Sequence, residues 1–144
     1  MERRKSMSTV IRPEISEKNK YWITKHRYYE LKHFCLQYPL WKKMYAVAED
    51  SMKSVSSERK SQTNEYSDPT AKYALAREYY SRRIVMVETA AKEADSELME
   101  YIIKCVSEGY SYPYLKTCMD IPCSKDTFYD RYRKFFHVLS KIRE

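Results

Sequence analysis

The side chains best suited to chemistry in this chain of 144 residues lie in its last segment, SKDTFYDRYRKFFHVLSKIRE at 124–144. Six Lys and Arg there face three Asp and Glu, among hydroxyl and aromatic side chains. Long cationic donors bind phosphates, and shorter polar side chains hydrogen-bond to base edges. The segment therefore predicts an interface for double-stranded DNA. Its candidate residues are Ser124, Lys125, Thr127, Tyr129, Arg131, Arg133, Lys134 and His137.

Helical periodicity divides this segment into two faces. A step of about 100° per residue places five apolar or aromatic side chains on one face, which must be buried. The opposite arc is polar and includes Asp126 and Asp130. A recognition helix presents such a surface to the major groove, although an ordinary solvated helix face has the same composition. The predicted buried stripe is Phe128, Tyr132, Phe135, Leu139 and Ile142.

The residues before this helix predict the elements that position it. Asp95 or Ser96 can cap a helix that ends at the chain's only glycine, Gly109. Ser111 can cap a short second helix with Pro113 in its first turn, and Pro122 ends the turn before Ser124 caps the last helix. This order of elements is typical of a helix-turn-helix.

The first two-thirds of the chain predict a helical scaffold. The pattern indicates a first helix over 20–37, a break at Pro39 and a second helix through Ala48. Residues 51–67, rich in Ser, Asn and Gln, predict a mobile loop, and Asp68 with Pro69 begins a long helix over 70–94.

Together these elements predict an all-α fold with an N-terminal helical hairpin, a long central helix and a C-terminal helix-turn-helix. The expected divisions are a basic, disordered tail at 1–19, a helical scaffold at 20–94 and a DNA-binding module at 95–144. One glycine in 144 residues argues against a sandwich or barrel that needs many tight turns.

Charge is distributed unevenly along the chain. The net charge of +7 resolves into +7 for 1–43, zero for 44–94, −3 for 95–123 and +3 for 124–144. Two basic segments could bind one polyanion through counterion release. The alternative for the first segment is a solubilising tail.

The residues argue against several other classes of protein. No apolar run reaches the roughly 20 residues of a membrane span, which predicts a cytoplasmic protein with no membrane partner. The four cysteines and three histidines lack zinc-site spacing, so we expect reduced, mostly buried thiols, no metal and no cofactor. No phosphate-binding loop or catalytic motif occurs, so no enzymatic activity and no catalytic residue are expected.

The last third of the chain resembles a known family. The blocks YPYLKTC and SKDTFYDRYRKFFHVL are similar to the sigma region-4-like helix-turn-helix of small phage-encoded transcriptional regulators of the ArpU and RinA type. That resemblance implies a sequence-specific activator of late or packaging genes in a bacterial host cell, with host RNA polymerase as a further partner.

A protein-binding role is the main alternative. Fifteen tyrosines and two tryptophans exceed what a small core can hide, and such residues are enriched in interface cores. The chain would then be a phage-encoded inhibitor of a host protein or a small terminase-like packaging subunit. The long central helix would either pack against the N-terminal hairpin, which we favour, or form the seam of a homodimer.

Overall fold

The computed structural model of the protein describes residues 17–58 and 69–144, and within them every regular element is helical and no strand occurs. The predicted all-α class is confirmed. Most of residues 1–19, residues 59–67 of the predicted loop and Asp68 lie outside the described residues. The helices are α1 (Lys25–Cys35), α2 (Tyr38–Glu58), α3 (Pro69–Ala94), α4 (Met99–Glu108), α5 (Tyr112–Met119) and α6 (Lys125–Ile142), with a 3-10 turn (Ser96–Leu98) before α4.

Two of the predicted boundaries are wrong. Helix α1 begins at Lys25 rather than Lys20, because Asn19 forms a turn in which its Oδ1 accepts from the amide of Tyr21 at 2.8 Å. Thr24 then caps α1 by accepting from the amide of Arg27. Helix α2 continues to Glu58, so residues 51–58 are helical and not part of a mobile loop.

The remaining helix ends follow the predicted caps closely. Pro39 lies in the first turn of α2, where its missing amide hydrogen leaves no bond unmade. Gly109 ends α4 in the left-handed conformation with φ of 77°. The side chains of Ser111 and Ser124 accept from the amides of Tyr114 and Thr127 at 3.3 and 3.2 Å.

The end of α5 has a cause that the pattern did not predict. Asp120, rather than a glycine, takes the left-handed conformation there, with φ of 53°. The amide of Ile121 donates to the carbonyl of Leu115 at 3.2 Å, so a backbone hydrogen bond closes the helix end across the left-handed residue. Leu115 and Ile121 are both fully buried.

The described residues form two compact units. The first contains 17–37 and 86–144, and the second contains 38–58 and 69–85. In this division α1 belongs with α4, α5 and α6, and α2 belongs with the first part of α3. In the second unit, Arg77 of α3 and Glu49 of α2 form an ion pair at 2.9 Å.

The core of the first unit is aromatic. Tyr28, Phe128, Phe135 and Phe136 are fully buried, and Phe136 meets both Tyr28 and Tyr132 edge-on at ring distances near 5 Å. Leu31, Ile102, Val106 and Leu139 complete this core between α1, α4 and α6. Pairs of this geometry add to the stabilisation from burying aromatic area.

Candidate nucleic-acid interface

Helix α6 packs its apolar face into the core that it shares with α1 and α4. Four of its five predicted stripe residues are buried, while Ile142 is only partly covered. Phe136, which was not predicted, is buried as well, so the apolar face is wider than the stripe. The residue type alone could have predicted this burial, because a phenylalanine side chain has no polar atom to present to solvent.

The contact between α1 and α6 carries a polar network. Arg27 donates to Oγ and to the carbonyl oxygen of Ser140 at 3.0 and 2.9 Å, and also to Glu30. Arg143 donates to the same Glu30 and lies over the ring of Phe34 at 4.3 Å. The two guanidinium groups hold the pKa of Glu30 below its usual value. These bonds restrain the C-terminal half of α6.

A buried tyrosine pair joins the same helices. The hydroxyls of Tyr28 and Tyr132 lie 2.9 Å apart, so each phenol has a hydrogen-bond partner. Burial raises the pKa of Tyr132 far above its ordinary value, and the phenol stays neutral. The pair satisfies two polar groups that burial would otherwise leave without partners.

The turn before α6 is fixed independently. The hydroxyl of Tyr112, in the first turn of α5, donates to the carbonyl of Cys123 at 2.7 Å. Ser124 Oγ donates to Thr127 Oγ1 at 3.1 Å in addition to capping the helix. These bonds tie the start of α5 to the start of α6 and give the first turn of α6 a defined backbone.

The first turn of α6 is the most open part of the predicted DNA-binding set. Ser124, Lys125 and Asp126 are exposed and Thr127 is half-buried. Lys125 lies 5.7 Å from the ring centroid of Tyr129 and forms no ion pair with any described residue. Lys134, two turns further along, is half-buried and also lacks an ion-pair partner within the described chain.

Arg131 has an internal role. Its Nε donates to Oδ2 of Asp95 at 3.0 Å, and its Nη1 donates to Asp130. Asp95 is itself the cap of the 3-10 turn and accepts from the amides of Glu97 and Leu98. Arg131 therefore links α6 to the residues that begin α4, and both carboxylates raise the pKa of its guanidinium.

Arg133 and His137 are also less exposed than the helical pattern predicted. Arg133 Nε and His137 Nδ1 are buried and have no hydrogen-bond partner among the described residues. The His137 ring lies 5.6 Å from that of Tyr21. Burial, and then the nearby Lys141, lower the pKa of His137, which makes it neutral at pH 7 and a poor phosphate ligand.

Tyr129 is partly covered as well, and burial raises the pKa of its phenol. The eight predicted residues thus separate into three sets. Ser124, Lys125 and Thr127 share the open first turn, whereas Lys134 lies further along the outer face. Arg131, Arg133, His137 and Tyr129 are engaged or half-covered by the protein itself.

The thiols are not arranged as a site. Burial raises the pKa of Cys35 beyond its usual range and that of Cys105 to about 12, so both stay protonated at neutral pH. The expectation of mostly buried thiols is wrong, because only Cys35 is buried, whereas Cys105 and Cys123 are partly exposed and Cys118 is exposed. Among the described residues, no three His, Cys, Asp or Glu side chains lie together as metal ligands.

The chain matches no protein-family model, and no curated protein or solved structure resembles it significantly. Within the described ranges, no helix has both the length and the apolar content to cross a membrane.

Proposed function

We propose that the protein binds double-stranded DNA in a sequence-specific manner, with α4, α5 and α6 as a helix-turn-helix and the first turn of α6 in the major groove. The observation that carries the proposal is the contrast within α6. Its apolar face is locked into the core, while its N-terminal turn presents exposed hydroxyl, ammonium and carboxylate groups. Recognition helices read bases mainly through their N-terminal residues.

The roles of the residues follow from their exposure. Lys125 and Thr127 read base edges, and Ser124 sets the position of that turn through its cap. Lys134 contacts a phosphate further along the helix. The exposed Asp126 suits selective readout, because it can accept from a cytosine amino group and repels phosphates elsewhere.

The resemblance of this module to ArpU- and RinA-type regulators extends the proposal to a biological role. We propose a phage-encoded transcriptional regulator of the late-gene activator type that acts in the cytoplasm of a bacterial host. Host RNA polymerase would be its further partner, because region 4 of sigma factors is the part that reads promoter DNA.

The test is a selection of bound fragments from random duplex DNA at about 150 mM salt, where nonspecific binding is weak. Wild-type protein is compared with Lys125→Ala and with the matched control Lys141→Ala, an exposed lysine at the other end of the same helix. We expect one enriched motif for the wild type and the control. Lys125→Ala should lose about 1–3 kcal/mol of specific affinity and relax the preference at one position.

Failure to enrich any motif with folded wild-type protein would contradict the proposal. Equal enrichment by both lysine variants would instead reject the first turn of α6 as the reading element. Both substituted lysines are exposed, so we expect each variant to fold. Circular dichroism of each variant checks this.

Protein binding is the second candidate function, and one observation favours it. Leu40 and Val47 of α2, and Leu75 and Val85 of α3, are about half exposed or more, although none lies in the module proposed for DNA. All four belong to the second compact unit, and apolar side chains left open to water favour contact with a partner. A host-protein inhibitor or a small terminase-like packaging subunit would use them, and its binding would change little with salt.

A further inference from the structure

One face of α3 carries exposed residues at the spacing of a helix–helix seam. Leu75, Glu78, Arg82 and Val85 follow one another at intervals of three, four and three residues, which places them on one stripe. Leu75 is 73% exposed and Val85 52% exposed. All four residues belong to the second compact unit.

The two central residues of the stripe form an ion pair with each other. Arg82 Nη2 donates to Glu78 Oε2 at 3.0 Å, and both side chains are more than 60% exposed. A pair this exposed gains little from its partner within the helix, because water screens both charges. Both groups are therefore able to turn toward charges on another surface.

The stripe is complementary to itself when it is reversed. Leu75 and Val85 lie five residues on either side of position 80, and Glu78 and Arg82 lie two residues on either side. An antiparallel copy of α3 centred there sets each leucine against a valine and each glutamate against an arginine. A parallel copy in register would set glutamate against glutamate and arginine against arginine.

Tyr79 adds a border to this stripe. It is half exposed, and Arg83 covers its ring at 3.6 Å and donates to its carbonyl oxygen at 3.1 Å. The Tyr79 ring therefore has neighbours on this helix, the Arg83 guanidinium over one face and the Tyr80 ring 5.1 Å away. Ordered aromatic side chains at an interface edge lose little conformational freedom on association.

We propose that the protein forms a homodimer in which this stripe of α3 packs antiparallel against the same stripe of a second copy. The seam is about 15 Å long at 1.5 Å per residue, which places the association among small, reversible interfaces. The proposal is independent of DNA binding, since none of its residues lies in α4, α5 or α6.

Charge reversal tests the pairing. Analytical ultracentrifugation of the full chain over about 1–200 µM, a range that spans weak association, should show a monomer–dimer equilibrium for the wild type. Glu78→Arg and Arg82→Glu each bring like charges together twice per dimer, and each should raise the dissociation constant about tenfold or more. The double variant, and an equimolar mixture of the two single variants, should return to within about threefold of the wild type.

A matched control comes from an exposed pair elsewhere. Glu108→Arg reverses the charge of a glutamate that pairs with Lys104 in α4 at 3.3 Å, and it should leave the dissociation constant unchanged. A wild-type chain that stays monomeric throughout the range overturns the proposal. So does a dimer that Glu78→Arg and Arg82→Glu leave intact, because it would then use another surface.

Disulfide trapping tests the orientation. In a background with the exposed Cys118 changed to serine, Leu75→Cys and Val85→Cys chains should cross-link with each other at least tenfold faster than either chain cross-links with itself. Preferential self-linking of the Leu75→Cys chain would indicate a parallel seam and overturn the antiparallel pairing.

Discussion

Arg131 is a cationic side chain whose donors already bind carboxylates of the same protein. It lies within the helix proposed to contact DNA, but its guanidinium already binds Asp95 and Asp130. A phosphate would have to compete with two carboxylates at bonding distance. Its first role is therefore to hold α6 to the start of α4.

A double-mutant cycle on Arg131→Ala and Asp95→Ala measures that role. We expect a coupling of about 0.5 kcal/mol in the free energy of unfolding, since the pair is partly exposed and water weakens it. Arg131→Ala should leave the salt dependence of DNA binding unchanged, whereas Lys134→Ala should reduce its slope by about one unit. A lower slope for Arg131→Ala would instead show that Arg131 contacts a DNA phosphate.

His137 connects stability to pH at the residue scale. Burial lowers the pKa of His137 in the folded protein, so the unfolded chain binds a proton more readily. Its contribution to stability is complete above its unfolded pKa near 6.5 and is lost as the pH falls below that value. Urea unfolding between about pH 7.5 and pH 5 should therefore show falling stability, with a smaller fall in His137→Gln.

Two exposed histidines provide the control for this experiment. His26 and His33 are both exposed on α1, so His26→Gln and His33→Gln provide matched substitutions of the same type for comparison with His137→Gln. An unchanged slope in His137→Gln would show that His137 is not the group that titrates.

Phe136 is the position where substitution should cost most stability. It is fully buried between Tyr28, Tyr132 and Phe135, and emptying such a site removes both apolar burial and ring contacts. Phe136→Ala should destabilise the fold by about 3–5 kcal/mol in urea unfolding. Tyr114→Ala, at an exposed aromatic position, should cost less than about 1 kcal/mol.

At the element scale, two left-handed residues define the short helix α5. Gly109 ends the preceding helix and Asp120 ends α5 itself. They are unequal in strain, because glycine adopts this conformation freely and a residue with a Cβ does not. The geometry of the three C-terminal helices thus depends on two backbone positions.

Opposite substitutions at these positions should have opposite effects. Gly109→Ala should destabilise the protein by about 1–2 kcal/mol through backbone strain alone, since nothing lies within 4 Å of the added Cβ. Asp120→Gly should relieve strain and be neutral to stabilising by up to about 1 kcal/mol. Urea unfolding measures both, and a destabilising Asp120→Gly would mean that its side chain contributes more than its backbone costs.

At the scale of the whole molecule, the two proposals make a joint prediction about DNA. A homodimer presents two copies of the reading helix, and a two-fold protein reads a two-fold site. The motif enriched by the wild type should then be an inverted repeat. Glu78→Arg, which acts only on the α3 seam, should weaken binding to the full repeat but leave the preference at each half-site unchanged.

A single, asymmetric motif bound equally well by wild type and Glu78→Arg would separate the two proposals. It would support DNA binding by a monomer beside polymerase. Dimerisation through α3 would then not be required for DNA binding. An inverted repeat lost only in Lys125→Ala would favour DNA binding with dimerisation through another surface.

The sequence by itself determined the helical class and most helix ends. Local chemistry sets these features: Ser111 and Ser124 cap through their own side chains, Gly109 accepts a left-handed backbone, and Pro39 begins a helix but cannot continue one. Each cause acts within a few residues of its effect. A pattern along the chain is therefore enough to predict it.

Only the tertiary structure decided which polar residues of α6 remain available. Arg131 pairs with a residue 36 positions away, and the backbone at Ser140 accepts from Arg27, 113 positions away. No local pattern contains such distances, because they depend on α1 packing against α6 and on α4 beginning beside them. Asp95 binds Arg131 and Tyr21 lies beside His137, so fewer of the predicted residues are open in the folded protein than the pattern along α6 indicates.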